Sequence, residues 1–321
     1  MTATFRPPAG PRFRVISDND YAGDPDGLYQ LAHHLLSPSV EVRAVIGSHL
    51  AVDDPFDPSG QSAAHGAAAA TTVLELLDLV GTVPVIAGSE LPLATRTEPQ
   101  PSAGAAAIVA EAMRTDTELP LFVVLGAGLT ELASAYLMEP AIADRLTAVW
   151  IGGPEYTVLG AVPPPDAMAI EYNLNIDLLA GQVVFDSPIP LWQIPRNAYR
   201  ECTASMSELV LRVKPRGPLG AHLYRTLVDI FEMVAPHGLN MGEVYVLGDS
   251  PLVLLTALQT GFEADPASSS YTQLPRPRIG DDGSYESRPD GHPVRVYSGL
   301  DVRLMLEDLY AKLELATGSA S

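Results

Sequence analysis

The segment DNDYAGDPDG, from Asp18 to Gly27, places the carboxylates of Asp18, Asp20, Asp24 and Asp26 within nine residues. Such groups repel one another unless a positive charge sits among them. A hard cation, calcium or magnesium, is the natural candidate because it takes oxygen ligands. The plainer alternative is that Asp24 caps a helix and the other aspartates are solvated. Three further segments carry matching chemistry. GAGLTELA (126–133) offers a backbone carbonyl near Thr130, and EYN (171–173) offers the Glu171 carboxylate and the Asn173 amide, suited to hydroxyl groups. In YVLGDSPLVLL, Asp249 stands just before an apolar helix, where a simple cap is its alternative role.

These residues need a scaffold, and the apolar pattern supplies one. Strands are expected at Arg12–Asp18, Val40–Gly47, Val83–Ala87, Leu121–Gly126, a run ending at Gly153, and Ile189–Ile194. Helical spacing fills the gaps: from about Pro25, near Ala63–Leu79, near Ala105–Met113, from Thr130, and over most of 204–236. In the first helix Leu28, Leu31, Leu35 and Leu36 form the apolar stripe, so His33 and His34 are expected to face solvent. The strands are continuous in apolar character, which indicates burial on both faces. The fold class is therefore α/β, a mostly parallel central sheet of the open Rossmann type with helices on both faces. In such sheets ligands bind at the carboxyl ends of the strands, which is where the acidic loop falls.

No repeat or low-complexity linker divides the chain, and 1–321 reads as one domain. Residues 1–11 read as a flexible lead and 315–321 as a flexible tail. The stretch 263–298, rich in Pro, Ser, Gly and Asp, reads as an irregular excursion with a hairpin turning at DDGS. Residues 152–170, with Pro163, Pro164 and Pro165, form a second long connection. A hydrophobic content of 47% suits a large buried core. No stretch approaches the roughly 18 to 20 apolar residues of a membrane span, and the start lacks the apolar segment of a secretory signal. The single cysteine, Cys202, reads as a lone buried thiol, and these features favour the cytoplasm. Acidic residues number 39 against 19 basic ones, for a formal charge of −20. That surface repels phosphate backbones, which argues against nucleic acid and anionic membranes as partners and leaves small neutral substrates and cations.

The motifs, taken in chain order, resemble those of the inosine–uridine preferring nucleoside hydrolases. DND followed by D.DG resembles that family's DTD...DD signature in a longer-loop form, and VLGAGLTELA resembles its LGPLTNLA segment. AVWIGG is similar to its strand ending in MGG, EYNLNID with VVFDS to its EFN...D, and GDSPLVLL to its segment before the late helix. The resemblance runs from about Arg14 to about Leu258. It implies a nucleoside-hydrolase-like fold and hydrolysis of the N-glycosidic bond of a ribonucleoside or related N-riboside, giving ribose and base, in purine or pyrimidine salvage. It also implies one Ca2+ per subunit held by Asp20, Asp24, Asp26, Asp249 and the Thr130 carbonyl. Asp20 would be the catalytic general base. Asp26, Ser48, His49, Glu171, Asn173 and Asp249 would surround the substrate, in a homodimer or homotetramer. Several positions depart from the family pattern. Gly27 stands where the second aspartate of the pair is expected, Ser48 and then His49 where an asparagine is, Ala161 for another asparagine, and Gly248 for the histidine before the late aspartate. His237 is a candidate replacement acid for the leaving group, against the plainer reading of a helix-end surface histidine.

Two other classes compete. A catalytically impaired nucleoside- or sugar-binding protein of the same fold would account for the departures. A haloacid-dehalogenase-like phosphatase would use Asp18 and Asp20, but that chemistry wants a lysine against the phosphate. Only Lys214 and Lys312 exist, and the late motif lacks a second acid.

Overall fold

The computed structural model describes residues 5–263 and 265–318. Its centre is β1 (Phe13–Asn19), whose residues alternate between two apolar cores: Val15 enters one and Ile16 the other. On one side of β1 lie β2 (Val40–Gly47) and β3 (Val85–Ala87). On the other lie β4 (Leu121–Leu125), β5 (Leu146–Ile151) and β6 (Leu191–Ile194), all parallel. The same alternation sends Phe122 and Val149 to the first core and Val123 and Trp150 to the second. A period of two with both faces apolar is what a parallel sheet covered by helices requires. The strand order 3-2-1-4-5-6 reverses direction at β1, so a switch point opens between the carboxyl ends of β1 and β4.

Crossover helices α1 (Asp26–Leu35), α2 (Ser62–Leu76), α3 (Ala103–Ala112) and α4 (Thr130–Met138) follow the first four strands. After β5 come α5 (Tyr172–Ile176) and α6 (Leu178–Asp186), and after β6 comes α7 (Arg196–Tyr199). A short antiparallel pair, β7 (Thr203–Ser205) with β8 (Val244–Val246), brackets α8 (Met206–Arg212) and α9 (Gly217–Val234). It leads to α10 (Pro251–Leu254), so Asp249 arrives from far along the chain. Cys202 is buried, as expected.

Three expectations require correction. His33 and His34 are buried, because α10 and α11 (Val302–Thr317) cover the face of α1 that the leucine stripe leaves open. His33 Nε2 lies 2.8 Å from Asp308 Oδ2, and His34 Nε2 lies 2.9 Å from Thr256 Oγ1. Burial holds the His33 imidazole down at about 4 and that of His34 well below its usual range. The stretch 263–298 is more regular than its composition suggests. It contributes β9 (Ser270–Pro275) and most of β12 (Pro293–Gly299), which extend the central sheet beyond β6, β9 running antiparallel at the edge. The hairpin between them is present, β10 (Arg278–Ile279) with β11 (Tyr285–Glu286), and DDGS lies in its turn. An edge strand as polar as SYTQLP carries little apolar signal, which is why it reads as loop. Finally, α11 takes in residues 315–317 of the expected tail, while 319–321 and residues 1–4 of the expected lead lie outside the described residues.

The added strands are pinned by Arg276, which is fully buried. Its guanidinium donates to the carbonyls of Val184 (2.9 Å), Ser187 (3.0 Å), Ile189 (2.6 Å) and Pro293 (3.2 Å). It thereby ties the end of α6 to the β9–β12 edge. Arg276→Met takes this donor from all four carbonyls, of which Val184 keeps the bonds from the Ser187 N–H and hydroxyl, and is expected to lower the unfolding free energy in urea by about 3 kcal/mol. Arg276→Lys recovers little of this, because one ammonium cannot reproduce the planar fork. A loss below about 1 kcal/mol in the Met variant would contradict this role.

Candidate active site

The acidic loop is built by short-range geometry. Asp18 and Asn19 end β1, and the chain then turns back on itself, with the Gly23 N–H donating to the Asp20 carbonyl at 2.7 Å. Asp24 Oδ1 accepts the Asp26 N–H at 3.2 Å, an Asx turn that starts α1, and it also accepts the Tyr245 hydroxyl at 2.9 Å. Asp26 is the first residue of α1, and its Oδ2 accepts the Asp249 N–H at 3.0 Å. Asn19 links the remaining pair. Its Oδ1 accepts the Asp20 N–H at 2.9 Å, and its Nδ2 donates to Asp249 Oδ2 at 2.8 Å. Asp20, Asp26 and Asp249, spaced over most of the chain, thus meet at the switch point, with Asp24 half-buried beside them.

No lysine or arginine forms an ion pair with Asp20, Asp24, Asp26 or Asp249 among the described residues. Burial, the largest influence on each, pushes all four carboxyls up. Mutual repulsion adds to it: Asp249, Asp24 and Asp54 act on Asp20, while Asp249, Asp24 and Asp20 act on Asp26. Asp24 rises to about 6 and Asp249 to about 7, the latter restrained by the Asn19 hydrogen bond. Buried carboxylates without a basic partner form an oxygen-only donor set, which fits a hard cation. Among the described residues no group of three or more His, Cys, Asp or Glu side chains is arranged, as it stands, to hold a metal ion. Thr130 begins α4 beside the β4 end; its hydroxyl donates to Asp177 Oδ2 at 2.7 Å and lies 2.9 Å from His49 Nε2.

The other expected residues surround this loop to different degrees. Glu171 is buried and caps α5. Its Oε2 accepts the Gly153 N–H at 2.7 Å and the Leu174 N–H at 3.1 Å, and its Oε1 accepts the Tyr199 hydroxyl at 2.8 Å. Gly153 has φ 85°, and a Cβ there would stand 2.2 Å from the Tyr285 hydroxyl, so only glycine delivers that N–H. Asn173 Nδ2 bonds the carbonyls of Gly126 and Ile151 at 3.1 and 2.8 Å, leaving Oδ1 as its remaining polar atom. Ser48 donates to Asp18 Oδ1 at the end of β2, and His49 is held against Thr130 and the Leu50 carbonyl. His237 lies exposed in the one-turn 3-10 segment Ala235–His237 and bonds no site residue among the described residues.

Several site neighbours escape the sequence reading. Asn19 hides between two conspicuous aspartates. Asp54 lies buried after β2, accepts the Tyr172 hydroxyl at 2.7 Å and acts electrostatically on Asp20. Tyr199 comes from a late segment with no motif of its own, and Tyr245 opens the YVLGDSPLVLL segment, where Asp249 draws the attention. A cavity of about 490 Å³ is lined by Tyr21, Gly23 and Leu28 together with His65 and His222, and by none of Asp20, Asp24, Asp26 and Asp249. Only an acidic run beside a strand end could have signalled Asp54.

Comparison with known proteins bears on the family and the fold. The profile of the inosine–uridine preferring nucleoside hydrolases matches residues 15–272. The fold aligns with a purine-preferring ribonucleoside hydrolase from Gardnerella vaginalis at TM-score 0.70 and 18% identity, covering 95% of this chain and 99% of that one. A plant nucleoside hydrolase aligns at TM-score 0.70 and 16% identity, with coverage of 95% and 99%. The type III effector XopQ, solved with adenosine diphosphate ribose, aligns at 0.64 and 15%, with coverage of 97% and 96%. No curated protein sequence matches the chain. The chain belongs to the inosine–uridine preferring nucleoside hydrolase family. It is accordingly an N-glycosyl hydrolase of a metal-dependent family, with a small nucleoside as the class of substrate. No helix among the described residues is long and apolar enough to cross a membrane.

The raised Asp249 carboxyl gives a signed prediction for metal-free protein. A folded-state value of about 7 against 3.8 means that ionisation costs stability increasingly as pH rises through that interval. Asp249→Asn lacks this cost. In EDTA its unfolding free energy relative to wild type is expected to rise between pH 4 and 7, by on the order of 1–4 kcal/mol. A difference that stays flat across urea titrations at these pH values would contradict the assignment.

Proposed function

We propose that the chain hydrolyses the N-glycosidic bond of a ribonucleoside or related N-riboside with water activated at a calcium ion. The observation that carries this reading is the meeting of Asp20, Asp26 and Asp249, buried and without a basic partner, at the switch point of a nucleoside hydrolase fold. Asp20, Asp26 and Asp249, with Asp24 beside them and the Thr130 carbonyl, would hold the cation. When bound, it would lower the pKa of a water molecule and bind the ribose diol. Asp20 would be the carboxylate placed to take a proton from that water as general base. Glu171 and Asn173, fixed by backbone groups at the β5 end, hold sugar hydroxyls together with Asp26 and Asp249. Ser48 is committed to Asp18 and both ring nitrogens of His49 to Thr130 and the Leu50 carbonyl, which takes these two out of the expected substrate set. The surrounding negative charge favours the cationic character that develops on the ribosyl ring as the base departs, as carboxylates do in glycoside hydrolysis. His237, exposed at the end of α9, is the remaining candidate from the sequence for protonating the leaving base. The setting that goes with this reading is nucleoside salvage in the cytoplasm by a homodimer or homotetramer.

Ribose release from a panel of purine and pyrimidine nucleosides tests it. Turnover is expected with calcium and not with EDTA, and Asp20→Ala is expected to lower kcat/KM by on the order of 10³-fold. Tight nucleoside binding without release, or turnover of p-nitrophenyl phosphate alone, would contradict it.

A further inference from the structure

Gly27 removes a carboxylate from the signature, and the structure shows what occupies its place. A Cβ at position 27 would stand 2.9 Å from Asn19 Nδ2, and one at position 126 would stand 2.4 Å from the same atom. The Asn19 amide is thus seated in a slot between Gly27 and Gly126, and both must lack side chains for it to fit. From that slot it bonds the two ends of the site: the Asp20 N–H at 2.9 Å and Asp249 Oδ2 at 2.8 Å.

The orientation of the amide is set by a buried relay that leads away from the site. The Thr256 hydroxyl donates to the Leu252 carbonyl at 2.6 Å, so toward His34 Nε2, 2.9 Å away, it acts as acceptor. With its proton on Nε2, the His34 ring accepts at Nδ1 from the Gln30 amide nitrogen. That nitrogen also donates to Ser17 Oγ at 3.1 Å. Gln30 Oε1 is left as an acceptor, from the Ser17 hydroxyl at 3.2 Å and from Asn19 Nδ2 at 3.3 Å. A reversed Asn19 amide would set Oδ1 against both Gln30 Oε1 and the Asp249 carboxylate. The relay therefore holds Nδ2 toward Asp249 and Oδ1 toward the Asp20 backbone. Asn19, Gln30 and His34 are all buried, so the arrangement is sheltered from exchange with water.

We propose that Asn19, seated against Gly27 and oriented by Gln30, is a positioning residue that holds the Asp249 carboxylate and the Asp20 backbone in register for the cation and substrate. It takes the structural place of the carboxylate that position 27 lacks. The proposal rests on the calcium-dependent reading above. In that setting a neutral amide serves better than another carboxylate, because it adds a donor where four acidic side chains already repel.

The test is a mutant cycle over Asn19→Ala, Asn19→Ser, Gly27→Ala and Asn19→Ala/Gly27→Ala. Calcium affinity is read by calorimetry, kcat and KM on the best nucleoside, and folding by melting temperature. Asn19→Ala is expected to weaken calcium binding and lower kcat roughly 10- to 100-fold, the scale for residues that orient metal ligands, with a smaller change in KM. Asn19→Ser, which keeps a short donor, recovers part of the loss and remains informative if the alanine variant folds poorly. Gly27→Ala alone displaces the amide and reproduces the loss, yet adds nothing to Asn19→Ala. Gln30→Met moves both readouts in the same direction and is likewise non-additive with Asn19→Ala. If folded Asn19→Ala and Asn19→Ser keep wild-type calcium affinity and kcat, while Asp20→Asn abolishes ribose release, the positioning role is overturned and the hydrolase reading stands. If Gly27→Ala and Asn19→Ala add independently, the shared slot is overturned. If wild-type protein neither binds calcium nor releases ribose, both readings fall together.

Discussion

The structure depends on the removal of several carboxylates from water at one point of the sheet without a basic side chain to neutralise them. Burying like charges in this way is unfavourable on its own. The fold tolerates it by aiming neutral donors at the carboxylates: the Asn19 amide at Asp249, the Tyr245 hydroxyl at Asp24, and backbone N–H groups at Asp24 and Asp26. These donors restrain the repulsion only in part, since the carboxyls still sit well above their ordinary range. The architecture follows from this demand. The reversal of strand order at β1 opens a crevice, and the long excursion through α8, α9 and β8 returns Asp249 to it.

How far the sequence discloses all this depends on what each residue's neighbours look like. The parallel strands β1 to β6 are plain, because residues alternating between two cores leave continuous apolar runs, whereas β12, parallel to β6 but reading PVRVYSG, is not. The acidic loop is plain too, because charge density beside a strand end is unusual. The polar edge strand β9 is not, since half of it faces solvent and nothing apolar recurs. His33 and His34 mislead for a related reason. One leucine stripe explains burial of one face of α1, while the cover on the other face comes from α11, more than 260 residues away. Pairwise contacts over such distances leave no local periodicity.

The departures from the family pattern look different once side chains are in place. Gly27 is a gap in the sequence, but in the structure it is the floor beneath Asn19. Gly248 stands close to Asp26, where a Cβ would come 3.3 Å from Oδ2. A larger residue there would press on a carboxylate that already accepts the Asp249 N–H. Ser48, in the position of an expected asparagine, donates to Asp18 near the end of β1. These three positions therefore all lie beside residues of the acidic loop.

The central claim is that these carboxylates are gathered for a cation. A crystal structure grown with calcium tests it most directly. The account predicts an ion about 2.3–2.6 Å from carboxylate oxygens of Asp20, Asp26 and Asp249 and from the Thr130 carbonyl, with Asn19 still donating to Asp249. Electron density that leaves this site without an ion at saturating calcium, or that places the ion away from Asp20 and Asp249, would contradict it.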